Sequence, residues 1–224
     1  MQTDSIRKKL VATAKSLARE HKTTLDKLKA EHDQLARPDF LWHYLLQSFA
    51  TMGRAAGWHG LIGNKVNYDK VRYETLARLS PEARAAQVEQ TCRSAKIRMP
   101  AKKAGYILGC FQRVRDLGGL EGAKRALFAQ KGRDAKIRFL KTFPGIGDKY
   151  ARNIMMDVYH EDFRDSIAID ARIKGLSQHW GLSFRSYAEH EAFYLSVAEE
   201  AGLNGWELDR LMFRFKDQFQ ERVR

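Results

Sequence analysis

The chain has 224 residues, of which 44% are hydrophobic, and a formal net charge of +13. This length and apolar content allow a buried core and exclude a disordered chain. No apolar run reaches the roughly 18 residues of a membrane span, and the first residues, MQTDSIRKKL, lack the apolar core of a secretory signal. We therefore expect a soluble protein that is not secreted and that works in the cytoplasm, at the nucleoid if it is prokaryotic, or in the nucleus.

The positive charge is concentrated in the middle of the chain. Residues 93–141 contain fourteen Lys or Arg and only three Asp or Glu. Clustered cations bind nucleic acid by displacing its condensed counterions, so this segment favours a nucleic-acid partner. A solvated charged surface and a membrane surface are the alternatives.

Apolar residues recur at spacings of three and four along the chain, which predicts an all-α fold. An amphipathic helical region covers about residues 3–35, and Pro38 precedes an apolar segment, FLWHYLLQSFATM, that we expect to be buried. Several glycines then loosen the chain: Gly53, Gly57, Gly60 and Gly63.

Further helical patterns follow at about residues 70–95, 101–117 and 120–130. The chain has two cysteines, Cys92 and Cys110. Two are too few for a four-cysteine zinc site or an iron–sulfur cluster, so we expect both to be buried free thiols.

The segment FPGIGDKYARN predicts a helical hairpin. A helix ends near Pro144, and because glycine adopts positive φ at little cost, Gly145 and Gly147 allow a tight reversal in which Ile146 packs between two helices. A second helix begins near Asp148. Its first backbone N–H groups lack intrahelical partners and lie at the positive end of the dipole, so they form a site for phosphate that reads no base sequence.

The second hairpin helix is predicted to run from Asp148 to about Tyr159. Lys149, Asn153 and Asp157 follow i, i+4, i+8 spacing and therefore share one polar face, which lies in a cleft or is a solvated surface. The opposite, buried stripe is formed by Ala151, Ile154, Met155 and Val158.

Asp170 follows the short apolar segment SIAI and precedes another helical pattern. The carboxylate is placed to cap the next helix by accepting from its free N–H groups. A capping carboxylate that stays ionised is also able to act as a base or to stabilise positive charge, and the two roles are compatible.

With FPGIGDKYARN followed by IAIDARI, the sequence resembles the helix-hairpin-helix (HhH-GPD) DNA glycosylase superfamily over about residues 40–220, and is closest to the 8-oxoguanine DNA glycosylase/AP lyases that lack an iron–sulfur cluster. The resemblance implies two helical subdomains with an active-site cleft between them. One is discontinuous, from residues 1–49 and 161–224. The other spans residues 50–160 and ends in the hairpin motif at about 133–159.

The resemblance also implies catalytic roles for Lys149 and Asp170. Lys149 matches the lysine that attacks C1′ of the damaged nucleotide in bifunctional members, and Asp170 matches the aspartate that stabilises the developing positive charge. The product is a Schiff base, and β-elimination then cuts the strand. The residues implied to contact DNA are Gly145, Ile146, Gly147, Lys149 and Arg172.

The family binds a monovalent cation through hairpin carbonyls, which correspond to those of Lys141, Phe143 and Ile146. No other cofactor is expected. The implied partner is double-stranded DNA with a damaged base or an abasic site, with no membrane, and we expect a monomer.

The segment GWELDRLMFRF resembles the base-pocket helix of 8-oxoguanine glycosylases. Asp209 and Phe213 then share one helix face, where one hydrogen-bonds and the other stacks on a flipped purine; Asn153 and Asp157 are further pocket candidates. An exposed charge beside a core Phe is the alternative. Where relatives place a polar wedge residue, this chain has Ala50, and its neighbours Phe49, Thr51 and Met52 are the other candidates.

The leading hypothesis is thus a DNA repair glycosylase with AP lyase activity in base excision repair, acting on an oxidised purine such as 8-oxoguanine. Two alternatives stay open. One is a non-catalytic helix-hairpin-helix DNA-binding protein, in which Lys149 contacts phosphate and Asp170 is only a cap. The other is a monofunctional glycosylase for another modified base.

Overall fold

The computed structural model describes residues 2–30, 33–53 and 56–223, and within these ranges every regular element is a helix. The predicted all-α fold class is therefore confirmed. In chain order the α-helices are α1 (Gln2–Glu20), α2 (Lys22–Ala30), α3 (Phe40–Thr51), α4 (Ala56–Leu61), α5 (Lys65–Lys70), α6 (Tyr73–Ala77), α7 (Pro81–Ser94), α8 (Pro100–Asp116), α9 (Gly119–Phe128), α10 (Gly132–Leu140), α11 (Asp148–Met156), α12 (Ala171–His179), α13 (Tyr187–Ala201), α14 (Gly205–Arg214) and α15 (Lys216–Arg222). Short 3₁₀ helices cover Asp33–Ala36 and Glu161–Phe163.

Contacts divide the chain into two compact units. The terminal unit combines Met1–Asp33 with Met155–Arg224, and the central unit is Gln34–Ile154. The domain boundaries implied by the resemblance, after residues 49 and 160, stay a prediction.

In the terminal unit, α1 packs against α13, α14 and α15, and α12 packs against α14 and α15. The stripe that faces this core consists of Leu10, Ala14 and Leu17, all fully buried, at the three- and four-residue spacing of an amphipathic helix. The N-terminal helical region is therefore confirmed, as two helices, α1 and α2. The end of the predicted region includes residues 31 and 32, which lie outside the described residues.

In the central unit, α3 packs against α4, α8 and α9, and α7 packs against α8. The apolar segment after Pro38 is buried as predicted, and the indole N–H of Trp42 donates to the Val71 carbonyl at 2.9 Å. The predicted helical pattern at 70–95 is divided, because Ser80 caps α7 by accepting from the Ala83 amide at 3.2 Å and Pro81 is the first residue of that helix.

The expectation that the glycines after α3 loosen the chain is wrong for Gly57 and Gly60, which lie inside α4. A β-carbon on Gly57 would overlap the Ala50 carbonyl, and one on Gly60 would overlap the Ala95 carbonyl. These two glycines allow α4 to approach its neighbours closely. Their role is packing rather than flexibility.

Both cysteines are buried free thiols, as predicted. Burial and the carboxylate of Glu89 raise the pKa of the Cys92 thiol to about 12. Among the described helices, none combines the length and the apolar composition that a membrane crossing needs.

Candidate active site

The predicted hairpin lies between α10 and α11. The Ile146 amide donates to the Phe143 carbonyl at 3.1 Å, and both side chains are buried. Gly145 has φ +82°, which favours glycine, whereas Gly147 does not use a positive φ. The two glycines of the motif therefore have different reasons to be glycine.

Helix α8 packs against the hairpin. A β-carbon on Gly145 would lie 2.5 Å from the Tyr106 ring, and one on Gly109 would lie 2.9 Å from the Pro144 ring. The thiol of Cys110 donates to the Pro144 carbonyl at 3.5 Å. A β-carbon on Gly147, in contrast, would meet no atom within 4 Å. The backbone at Gly147 thus faces open space on the side where a side chain would stand.

Lys149 lies in the first turn of α11 and is half-buried, with its ammonium 3.9 Å from the centre of the Tyr150 ring. Asp148 begins the helix, where its charge is favourable to the dipole. Its carboxylate accepts from the Lys141 ammonium at 2.7 Å, and the buried Arg152 donates to its carbonyl at 3.1 Å. Two cations, Lys141 and Arg152, therefore bond the first residue of α11.

A cavity beside the start of α8 is lined by several positively charged side chains. Its lining includes Arg98, Lys102, Lys103 and Tyr106, the ring that lies under Gly145. Lys103 is buried, with its ammonium against the Met52 sulfur. Burial and the charges of Lys102 and Arg98 lower the pKa of Lys103 to about 8. A bound anion would relieve this repulsion, and sequence analysis detected the cluster only as part of the basic segment.

Asp170 is the N-cap of α12, and its predicted capping role is confirmed. One carboxylate oxygen accepts from the amides of Arg172 at 2.8 Å and Ile173 at 3.0 Å. The Arg172 guanidinium lies 3.9 Å from the other oxygen. Lys149 belongs to the central unit and Asp170 to the terminal unit, and their pairing stays a prediction.

Asp209 on α14 is only 4% exposed, and both of its carboxylate oxygens have partners. One accepts from the Ala168 amide at 2.9 Å, and the other accepts from Arg210 at 3.4 Å. Burial raises the pKa of Asp209 to about 6, against the opposing effect of Arg210. Phe213 on the same helix is 51% exposed. The alternative of an exposed charge beside a core Phe is therefore wrong for both residues.

Arg210 and Arg172 organise the other predicted pocket residues of the terminal unit. Arg210 donates to Asp157 at 2.8 Å, and the Arg172 guanidinium lies 4.0 Å over the Phe213 ring. The predicted end of the hairpin helix near Tyr159 is wrong, since α11 ends at Met156 and Asp157 lies in the following turn. Asn153 lies on α11 in the central unit and is half-buried.

Sequence analysis missed Arg210. It did so although the residue follows Asp209 directly, because a charged neighbour on a helix is usually solvated.

The free energy of unfolding is expected to depend on pH through Asp209. Between an ordinary Asp pKa of 3.8 and about 6, the folded state holds a proton at Asp209 that the unfolded state has released. Stability therefore declines as pH rises through this window, by about 1–3 kcal/mol in total. In Asp209→Asn the amide oxygen still accepts from Ala168, and this slope should vanish. Urea unfolding of both proteins from pH 4 to 7.5 measures this slope. A difference in unfolding free energy between the two proteins that does not change with pH would contradict the raised pKa of Asp209.

The hairpin offers oxygen donors that suit a monovalent cation. Lys141 is the C-cap of α10, where the last carbonyls of a helix lack intrahelical partners and carry the negative end of the dipole. The Phe143 carbonyl accepts one amide and retains a second lone pair. Together with the Ile146 carbonyl, this donor set fits a hard cation that prefers neutral oxygens.

The wedge candidates differ in exposure. Phe49 and Ala50 are buried, with Phe49 5.8 Å from the Tyr106 ring, whereas Thr51 and Met52 are partly exposed. Thr51 donates to the Gln47 carbonyl at 2.9 Å. The end of α3 therefore presents Thr51 and Met52 to solvent.

No protein-family model and no curated protein sequence matches the chain. Solved structures of glycosylases share its fold. The 8-oxoguanine DNA glycosylase of Methanocaldococcus jannaschii has a TM-score of 0.68 and 18% identity over 92% of this chain and 93% of that chain. The 8-oxoguanine DNA glycosylase of Thermotoga maritima has a TM-score of 0.69 and 18% identity over 93% of this chain and 96% of that chain.

A third structure was determined with a ligand. It is the Methanocaldococcus jannaschii 8-oxoguanine glycosylase/lyase in complex with a 15mer DNA containing 8-oxoguanine, with a TM-score of 0.65 and 19% identity over 92% of this chain and 97% of that chain. The chain therefore has the helical fold of these glycosylases along nearly its whole length. The all-α fold implied by the resemblance is confirmed.

Proposed function

We propose that this protein is a bifunctional DNA glycosylase/AP lyase that removes an oxidised purine, 8-oxoguanine or a close relative, from double-stranded DNA. One observation carries the proposal. In a chain with the fold of 8-oxoguanine glycosylases, Lys149 stands two residues after the second glycine of a PGIG hairpin and Asp170 caps the helix that follows a buried irregular segment. These are the positions of the nucleophile and the carboxylate in the family that the sequence resembles.

The chemistry follows from the two groups. The lone pair of the neutral Lys149 amine forms a bond to C1′, the C1′–N9 bond breaks, and the departing base takes up the proton that the amine loses. The negative charge of Asp170 stabilises the positive charge that develops on the sugar. Opening of the sugar gives a Schiff base on Lys149. Loss of a C2′ proton then breaks the C3′–O bond, and water releases the lysine.

DNA is proposed to bind through the hairpin and the adjacent cations, with the protein acting as a monomer. The open backbone at Gly147 and the first amides of α11 suit a phosphate, and Arg98, Lys102 and Lys103 add positive charge beside them. The damaged base has to leave the duplex, at a cost of a few kcal/mol. Asn153, Asp157, Asp209 and Phe213 remain the proposed pocket residues, with Phe213 as the exposed stacking surface.

A panel of duplexes tests the proposed function. Each carries one lesion opposite cytosine: 8-oxoguanine, an oxidised pyrimidine, an alkylated purine or an abasic site. We expect strand cleavage at 8-oxoguanine and at the abasic site, and none at undamaged guanine. Base release without strand cleavage would indicate a monofunctional glycosylase. Binding without either reaction would indicate a DNA-binding protein.

The two hairpin glycines are expected to respond differently to alanine. Gly145→Ala places a side chain at φ +82° against Tyr106 and should destabilise the protein by about 2 kcal/mol or more. Gly147→Ala has room and should change stability by less than about 1 kcal/mol. It should nevertheless weaken DNA binding about tenfold, because the methyl group stands where a phosphate approaches. Urea unfolding and binding titrations measure the two effects, and unchanged DNA affinity in Gly147→Ala would contradict this placement of the phosphate.

The carbonyls of Lys141, Phe143 and Ile146 are the proposed ligands of a monovalent cation. Such an ion would hold the hairpin in shape and add positive charge near a bound phosphate. The chain's own contribution is the C-terminus of α10, which presents these oxygens.

A further inference from the structure

The segment before Asp170 is irregular and buried, and no strand pairs with it among the described residues. Ser166, Ile167, Ala168 and Ile169 are all buried and lie outside any regular element. Buried backbone amides need hydrogen-bond partners, and in a sheet a neighbouring strand would supply them. Here side chains take that place.

Three successive amides are each bonded by a different side chain. The Ile167 amide donates to Glu191 at 3.1 Å, the Ala168 amide to Asp209 at 2.9 Å, and the Ile169 amide to the Tyr187 hydroxyl at 2.9 Å.

The Tyr187 hydroxyl in turn donates to the Ile167 carbonyl at 3.0 Å, and the Ile169 amide also donates to that carbonyl at 3.1 Å. Tyr187 and Glu191 come from α13 and Asp209 from α14.

Burying two carboxylates costs free energy that must be offset by the hydrogen bonds they make. Two carboxylates, Glu191 at 3% exposure and Asp209 at 4%, are buried to hold one short segment. Apolar packing alone would bury the segment but would leave its amides unpaired. The residue that follows the third amide is Asp170, whose backbone then begins α12.

We propose that Tyr187, Glu191 and Asp209 form an amide clamp that fixes the Asp170 carboxylate where the reaction needs it. This rests on the proposed function. Tyr187 and Glu191 are positioning residues, since they act on the backbone before Asp170 and not on the substrate. Asp209, which is also proposed for the base pocket, positions the segment through the carboxylate oxygen that accepts from the Ala168 amide. A catalytic group displaced by about 1 Å loses up to about a hundredfold in rate, so loosening the clamp should slow base excision without weakening DNA binding.

Tyr187→Phe is the sharpest test, because it keeps the ring and removes only the hydroxyl. Tyr194→Phe is the matched control: Tyr194 is buried on the same helix, but its hydroxyl bonds Ser177 at 2.8 Å and not the segment. At a temperature where both variants are folded, we expect single-turnover excision of 8-oxoguanine to fall at least tenfold in Tyr187→Phe and to stay within threefold of wild type in Tyr194→Phe. DNA affinity should stay within threefold in both.

A second pair of variants tests rescue by a conservative change. Glu191→Gln keeps an oxygen that accepts from Ile167 and should stay within threefold of wild type, whereas Glu191→Ala should lose at least tenfold in rate. Amide hydrogen exchange followed by NMR gives a readout that needs no activity. The Ile169 amide should exchange at least tenfold faster in Tyr187→Phe than in wild type. Its exchange rate in Tyr194→Phe should equal that of wild type.

Two results would overturn the clamp: an excision rate in Tyr187→Phe equal to wild type, or equal losses in Tyr187→Phe and Tyr194→Phe, which would indicate general destabilisation. If wild-type protein excises no lesion, the proposed function itself fails. In that case hydrogen exchange at residues 167–169 still decides whether the three side chains hold the segment.

Discussion

Lys149→Gln is expected to abolish covalent trapping and strand cleavage at 8-oxoguanine, and to lower single-turnover base release by at least about a thousandfold. The physical reason is the nucleophile. The amine lone pair attacks C1′ and forms the Schiff base, whereas the lone pair of the glutamine amide is delocalised into its carbonyl. The side chains are similar in length, and Lys149 is half-buried beside Tyr150, so the fold should be retained.

Two further variants separate nucleophilicity from charge. Lys149→Arg keeps a positive charge that arginine does not lose in proteins, so it should bind DNA like wild type and still form no adduct. Lys141→Gln makes the same chemical change on the same hairpin, at a lysine paired with Asp148, and should trap normally. An adduct that persists in Lys149→Gln would place the nucleophile elsewhere.

Asp170→Asn is expected to lower base excision by at least about a hundredfold while it leaves folding and DNA binding nearly unchanged. Asparagine caps helices about as well as aspartate, so its oxygen should still accept from the Arg172 and Ile173 amides, and the free energy of unfolding should change by less than about 1 kcal/mol. What is lost is the negative charge beside the developing positive sugar, and such electrostatic stabilisation is often the largest single contribution to catalysis.

Ser80→Ala provides the control for Asp170. It removes the cap of α7, whose side chain accepts from the Ala83 amide, and it should cost about 1 kcal/mol of stability with no loss of excision. Asp170→Asn should therefore lose excision and keep its stability, whereas Ser80→Ala should lose stability and keep its excision rate. If Asp170→Asn excises at the wild-type rate, the carboxylate is only a cap.

The features that sequence analysis predicted well are local in the chain. The hairpin depends on Pro144, Gly145 and Ile146 in direct succession, and the cap depends on Asp170 and the two residues that follow it. Their physical causes, a left-handed glycine and free helix N–H groups, act within one turn. Patterns of this length are readable without tertiary structure.

The features that sequence analysis missed depend on residues distant in the chain. The three amides before Asp170 are bonded by side chains 24, 41 and 18 residues away. The sequence pattern around Gly57 and Gly60 predicts flexibility, because the carbonyls of Ala50 and Ala95 that leave no room for a β-carbon are not adjacent to them in the chain. Only the packing of the helices brings these groups together.

Asp209 shows the same limit for charge. Beside Arg210, in the middle of an amphipathic pattern, an aspartate is expected at the surface. Its burial follows from the Ala168 amide that it accepts from, and this partner is not adjacent in sequence. Phe213 is the counterpart, an aromatic residue that is 51% exposed, with the Arg172 guanidinium 4.0 Å from the centre of its ring.

The most direct test of the central claim is borohydride trapping of the wild-type protein on a duplex with a single 8-oxoguanine, followed by peptide mapping of the adduct. We predict a stable covalent complex in which the DNA is attached to Lys149, and none with the undamaged duplex. A protein that binds and excises 8-oxoguanine with no trapped complex, or an adduct that maps to another lysine, would contradict the account.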